Sequence, residues 1–93
     1  SGQEACAAPI EIGNFVEIVS PMVGTFYRAS APGADPCVDV GDTINEETVV
    51  CIIEAMKIMN EVKAEMAGEV VEAYVSDGEA IEFGQPLFRV KPA

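Results

Sequence analysis

Two stretches of this 93-residue chain repeat one another. Glu17-Ile18-Val19-Ser20-Pro21-Met22-Val23-Gly24-Thr25-Phe26 matches Glu61-Val62-Lys63-Ala64-Glu65-Met66-Ala67-Gly68-Glu69-Val70 at an offset of 44. The glutamate, the methionine and the glycine coincide, and so do the apolar positions. Further on, Gly41-Asp42-Thr43-Ile44 matches Gly78-Glu79-Ala80-Ile81 at an offset of 37, and Val50-Cys51-Ile52-Ile53 follows against Leu87-Phe88-Arg89-Val90. Self-similarity of this kind limits the architecture to two like halves related by a pseudo-two-fold axis.

The offset falls from 44 to 37, so the first half holds seven extra residues between Phe26 and Val40. They fall around residues 29–36, where Pro32, Gly33 and Pro36 mark an irregular loop. Loops on a rigid scaffold often carry function. They also tolerate neutral insertion cheaply, and the repeat alone leaves the two readings level.

From Phe15 onward, short runs rich in Val, Ile, Phe and Tyr alternate with turn signals. The pattern predicts strands over 15–19, 24–27, 42–44, 49–54, 58–64, 69–75, 80–83 and 87–91. The breaks hold Ser20-Pro21, Ala31-Pro32-Gly33, Val40-Gly41, Asp77-Gly78 and Gly84-Gln85-Pro86. Many short strands with such punctuation give an all-β sandwich or barrel, four strands from each half. Residues 1–14 are rich in small residues without sustained periodicity and read as a disordered Ala/Pro linker remnant. The folded domain is then 15–93, and the opening Ser1-Gly2 reads as a cloning remnant.

Composition narrows the function classes. Sixteen Asp and Glu stand against five Lys and Arg, a formal net charge of -11. Nucleic acid and anionic membrane faces are poor partners for such a surface, whereas basic protein surfaces are good ones. Histidine is absent, which removes the commonest general base and metal ligand. Cys6, Cys37 and Cys51 are too few and too widely spaced for a disulfide framework or a zinc site, and no metal site is expected. No apolar run approaches the ~20 residues of a membrane span.

At the junction of the halves stands Glu54-Ala55-Met56-Lys57-Ile58-Met59, between two strong strand patterns. The link is short, so a tight hairpin is expected with Met56-Lys57 at its centre. Two-residue hairpins favour Gly, Asn or Asp there, because their central residues need positive φ. Violations of local preference gather at functional sites. A methionine exposed at a turn tip is a second oddity.

This hexapeptide closely resembles the modified motif of biotinyl domains, in which the lysine of an A-M-K-M-like tetrapeptide carries biotin. The upstream Ser20-Pro21-Met22-Val23-Gly24-Thr25-Phe26-Tyr27-Arg28 and the linking Val50-Cys51-Ile52-Ile53-Glu54-Ala55-Met56-Lys57 are similar to the biotin carboxyl carrier subunit of bacterial and plastid acetyl-CoA carboxylase. The resemblance covers about Glu17 to Val90. It implies a flattened barrel of two four-stranded antiparallel sheets with the lysine on a protruding hairpin. It makes Lys57 the site of covalent biotin, flanked by Glu54, Ala55, Met56, Ile58 and Met59. The insertion falls where these carriers have a thumb, a loop that leans over the biotin ring. Here that loop is Arg28, Ala29, Ser30, Ala31, Pro32, Gly33, Ala34, Asp35 and Pro36. Two positions depart from the pattern. Ile58 stands for the commoner Met, and Asn45-Glu46-Glu47-Thr48 replaces a Gly-Asp turn and is expected to loosen it.

The implied function is a non-catalytic carrier. Biotin on Lys57 would take a carboxyl group from biotin carboxylase to carboxyltransferase, making malonyl-CoA for fatty-acid synthesis. Biotin protein ligase would be a third partner. The full-length protein would be a homodimer through a region before Ser1, placed in bacterial cytoplasm or plastid stroma. A lipoyl carrier shares the hairpin lysine but favours an acidic residue where this chain has Met56. An unmodified protein-contact module is the other alternative, and Lys63 and Lys91 read as ordinary surface charges.

Overall fold

The computed structural model describes residues 9–93 in full and residues 3–6 as backbone. Its strands are β1 (Gln3–Cys6), β2 (Ile10–Ile12), β3 (Phe15–Val19), β4 (Gly24–Tyr27), β5 (Thr43–Ile44), β6 (Val49–Ala55), β7 (Ile58–Lys63), β8 (Gly68–Ala73), β9 (Ala80–Ile81) and β10 (Pro86–Pro92). All eight strands expected from the sequence are present, within a few residues at their ends. They form two sheets, ordered β1-β7-β6-β4-β9 and β2-β3-β10-β8-β5.

The repeat is visible in this order. An offset of 44 carries β3 onto β7 and β4 onto β8, and an offset of 37 carries β5 onto β9 and β6 onto β10. Applied to β3-β10-β8-β5, these offsets give β7-β6-β4-β9, so the two four-stranded units are images of one another. Loop hydrogen bonds obey the same relation. Gly41 N–H donates to the Val70 carbonyl at 2.7 Å, and Gly78 N–H donates to the Phe26 carbonyl at 2.7 Å.

Inward-facing residues of both sheets form one core that includes Ile18, Phe26, Val50, Ile53, Val62, Val70, Leu87, Phe88 and Val90. The Phe26 and Phe88 rings meet at 6.0 Å between centroids, tilted by 51°. Each half spends one glycine on close strand packing. A Cβ at Gly24 would stand 2.5 Å from the Glu54 carbonyl oxygen, and one at Gly68 would crowd the Lys91 carbonyl in the same way.

The structure corrects two expectations. Strand structure extends into residues 1–14, where a linker was expected. β2 pairs antiparallel with β3, from Ile10↔Glu17 to Ile12↔Phe15. Gly13, at φ 63°, turns the chain between them, a Gly-Asn hairpin signal of the ordinary kind. Ile10 and Ile12 are half exposed, so β2 adds ladder bonds with little apolar burial, and composition gave no sign of it. β1 pairs with β7 in parallel, from Gln3↔Asn60 to Cys6↔Lys63. The remaining residues of the expected linker, 1, 2, 7 and 8, lie outside the described residues, as does the expected cloning remnant.

The Asn45–Thr48 turn is also tight. Glu47 N–H donates to Asn45 Oδ1 at 2.8 Å and Asn45 N–H to Thr48 Oγ1 at 2.9 Å. Asn45 and Thr48 side chains thus replace the backbone freedom of glycine with local hydrogen bonds.

Candidate functional site

β6 and β7 run antiparallel to a last pair, Ala55↔Ile58, and two residues close the hairpin. Met56 has φ 53° and Lys57 φ 67°. Both central residues therefore occupy the left-handed region, as a type I′ turn requires. For residues with a Cβ this conformation costs roughly 1–2 kcal/mol each. Register and twist of the flanking strands impose it nonetheless. The side chain of Met56 is thrust into solvent, 94% exposed, and Lys57 beside it is exposed too.

Lys57 differs from the chain's other lysines. Lys63 lies half-buried on β7 with its Nζ 2.8 Å from Glu47 Oε1. Lys91 is exposed on β10, inside a strand that is paired on both sides. Among the described residues Lys57 makes no hydrogen bond or ion pair. Only Lys57 puts its amine at a protruding tip.

Below the tip the hairpin is anchored on both faces. On the inner face Asn60, 5% exposed, donates from Nδ2 to the Ile53 carbonyl at 3.2 Å and the Ile58 carbonyl at 3.1 Å. On the outer face Glu54 pairs across the ladder with Met59 and accepts a hydrogen bond from the Tyr27 hydroxyl at 3.3 Å. The Glu54 charge is the main reason that the Tyr27 phenol is pushed above its ordinary value, with burial, the hydrogen bond and Asp77 adding to it.

The seven-residue insertion forms a loop with a closed neck. Cys37 N–H donates to the Arg28 carbonyl at 2.7 Å. Arg28 N–H donates to Asp77 Oδ1 at 2.8 Å, and its Nη2 lies 2.9 Å from Asp39 Oδ1 and 3.2 Å from the Val38 carbonyl. Ala31 to Pro36 are all exposed. Together the loop, Tyr27, Glu54, Met59 and Asp77 enclose a cavity of about 420 Å³. It opens two ladder rows below Lys57.

The structure thus brings together Glu54, Met59 and eight of the nine expected loop residues; Asp35 alone is not on the cavity wall. Ala55 is half-buried at the stem, while Met56, Lys57 and Ile58 form the exposed tip. Sequence reasoning missed Tyr27, Asp77 and Asn60. Tyr27 adjoins the insertion and was accessible to it. Asp77 reaches Arg28 across 49 residues, and no local pattern marks that contact. Neither described cysteine is a poised nucleophile. Cys37 and Cys51 are free thiols, and burial is the main cause raising both.

The family of biotin-requiring enzymes, the biotin/lipoyl family, matches residues 16–90. The chain belongs to this family. The match runs from β3 into β10, so this biotin/lipoyl domain coincides with the two four-stranded units, with β1 and β2 outside it. The domain is 58% identical over 76 residues to the biotin carboxyl carrier protein of acetyl-CoA carboxylase from Nostoc sp., covering 82% of this chain and 42% of that protein. It is 51% identical over 92 residues to the protein of the same description from Chlamydia muridarum, covering 99% and 55%. A chloroplastic counterpart from Arabidopsis thaliana is 49% identical over 73 residues, covering 78% and 29%. The chain therefore spans about half or less of the length of these relatives. A solved single-chain, multi-domain long-chain acyl-CoA carboxylase shares the fold, with a TM-score of 0.75 at 19% identity over 96% of this chain and 8% of that one.

Proposed function

We propose that this biotin/lipoyl domain is the biotin carrier of an acetyl-CoA carboxylase, with biotin joined by an amide to Lys57 Nζ. The observation that carries the reading is the Met56-Lys57 turn, which holds an unpartnered amine at a solvent-facing tip against local backbone preference. The residues present fit the group. The amine is accessible, and a cavity of about 420 Å³ lies two rows below it, of a size that suits small ligands. Bound biotin supplies a ureido nitrogen that takes up a carboxyl group and gives it away.

The domain's own residues present and orient. Lys57 Nζ would attack the biotin carboxyl carbon, activated by the modifying enzyme and ATP as an acyl adenylate; as the amide bond forms, the carboxyl–phosphate C–O bond breaks, AMP leaves and the Nζ proton passes to that enzyme. The rigid hairpin then holds the attachment point clear of the domain surface, and tethering raises the effective concentration of the group at each partner enzyme. Residues 28–36 form a thumb that shields one side of the swinging group, with Tyr27, Glu54 and Met59 behind it. Biotin protein ligase, biotin carboxylase and carboxyltransferase are the partners, in bacterial cytoplasm or plastid stroma, and the product is malonyl-CoA for fatty-acid synthesis. The commonest general base, histidine, is absent from the chain, which supports a carrier that acts as a non-catalytic subunit.

The test is the intact mass of the domain after incubation with biotin, ATP and a biotin protein ligase, beside a Lys57→Arg control. One biotin less one water is expected on the unaltered chain, and none on the control. Transfer by a lipoyl ligase in preference to the biotin ligase would replace this reading with a lipoyl carrier.

A further inference from the structure

Asn60 sets the modified hairpin apart from its counterpart across the pseudo-two-fold. The ladder pair Ile53↔Asn60 in one sheet corresponds, through the 37- and 44-residue offsets, to Val90↔Val16 in the other. All four side chains are buried. The strands carrying Val90 and Val16 are β10 and β3, which no turn joins. Those carrying Ile53 and Asn60 are joined by the Met56-Lys57 turn. The same core position thus accepts valine where there is no turn and holds an amide where there is one.

A buried amide is unfavourable unless its donors are used. Asn60 spends both on the hairpin itself. One goes to Ile53 on β6, the other to Ile58, the residue that follows the turn. Among the described residues only Ser20 is another buried polar side chain.

We propose that Asn60 is a positioning residue for the modification of Lys57. Its amide fastens the two stems beneath the turn and holds Met56 and Lys57 in the left-handed backbone that aims Nζ outward. It acts through the Ile58 and Ile53 carbonyls and does not touch the reacting atoms. This rests on the reading of Lys57 as the biotin-bearing residue. Filling the core is not what the position needs an amide for, because valine does that in the other half.

The test is Asn60→Val, the residue that the symmetric position already uses. Amide hydrogen exchange is followed across the chain, together with kcat and KM for biotin transfer by a biotin protein ligase. Amides of the paired stem beneath the turn, Ala55 and Ile58, are expected to exchange about tenfold faster while Val70 and Phe88 keep their protection. Transfer is expected to lose about tenfold in kcat/KM, mostly through KM. Unchanged exchange at the hairpin, or an equal loss there and in the core, overturns the proposal. If Asn60→Val does not fold, Asn60→Ser, which keeps one donor, decides between the two roles. Loosening confined to the hairpin supports bracing, and global unfolding overturns it. If the unaltered chain takes no biotin, the reading of Lys57 fails by itself, and the exchange measurement still decides the role of the amide.

Discussion

A single hydrogen at Gly24 decides whether β4 can lie against β6. A methyl there would meet the Glu54 carbonyl and the Ile53 side chain, 2.5 and 2.7 Å from the new carbon. The backbone carbonyl cannot rotate away without breaking the ladder to Thr25. Gly24→Ala should therefore cost about 1–3 kcal/mol, the usual range for overpacking, read as a lower urea midpoint. Cys51 makes a second residue-level prediction. Burial raises its thiol far above the ordinary 9.0. The folded state then keeps a proton that the unfolded chain gives up. The resulting stability is fully present below about pH 9 and is lost progressively as pH rises beyond it. Urea midpoints should fall between pH 8 and pH 11, and Cys51→Val should flatten that decline. An equal decline in the variant would place its cause elsewhere.

At the scale of elements, the thumb is an addition to a scaffold that does not need it. Its neck is closed by the bond from Cys37 N–H to the Arg28 carbonyl, which is the closing bond of a two-residue turn if the loop is cut down. Ala31 to Pro36 are exposed and bury little. Replacing residues 29–36 by Asn-Gly should leave the unfolding free energy, from urea titration, within about 1.5 kcal/mol of the parent, since two halvings of loop length are worth only about 1.2 kcal/mol of closure entropy. The cavity beside Glu54 and Met59 should disappear with it. A large loss of stability would mean that the loop is part of the core. The hairpin is the opposite case, since its strain is imposed by strands that are indispensable to the fold.

At the scale of the whole molecule, charge matters more than any single ion pair. The surface carries a net charge of -11 on 93 residues. Self-repulsion of that size destabilises the compact state, and salt screens it over a Debye length of about 10 Å at 0.1 M. The thermal midpoint at pH 7 should rise as sodium chloride goes from about 0.02 to about 0.3 M. Ion pairs such as Arg28–Asp39 and Arg89–Glu72 are partly exposed on both sides and worth too little to reverse the trend. A midpoint that falls with salt would show attractive pairs outweighing the net charge.

Much of this protein is legible in its residues alone. Alternation of apolar and polar side chains has the period of a strand and needs no tertiary information, so eight strands could be placed. The repeat fixed their symmetry and exposed the insertion. Met56-Lys57 was legible as a rule broken, because turn preferences are local. What remained hidden depends on residues far apart in the chain. β1 and β2 extend the sheets by edge pairing, and β2 does so with little apolar burial, which leaves almost no compositional trace. Tyr27 meets Glu54 across 27 residues and Arg28 meets Asp77 across 49. The role of Asn60 shows only when its two acceptors and its valine counterpart are seen together. The sequence by itself determined which segments are strands and which turn is strained, because those follow from side-chain period and backbone sterics. Only the tertiary structure decided what surrounds that turn, because contacts between distant strands are set by register and packing.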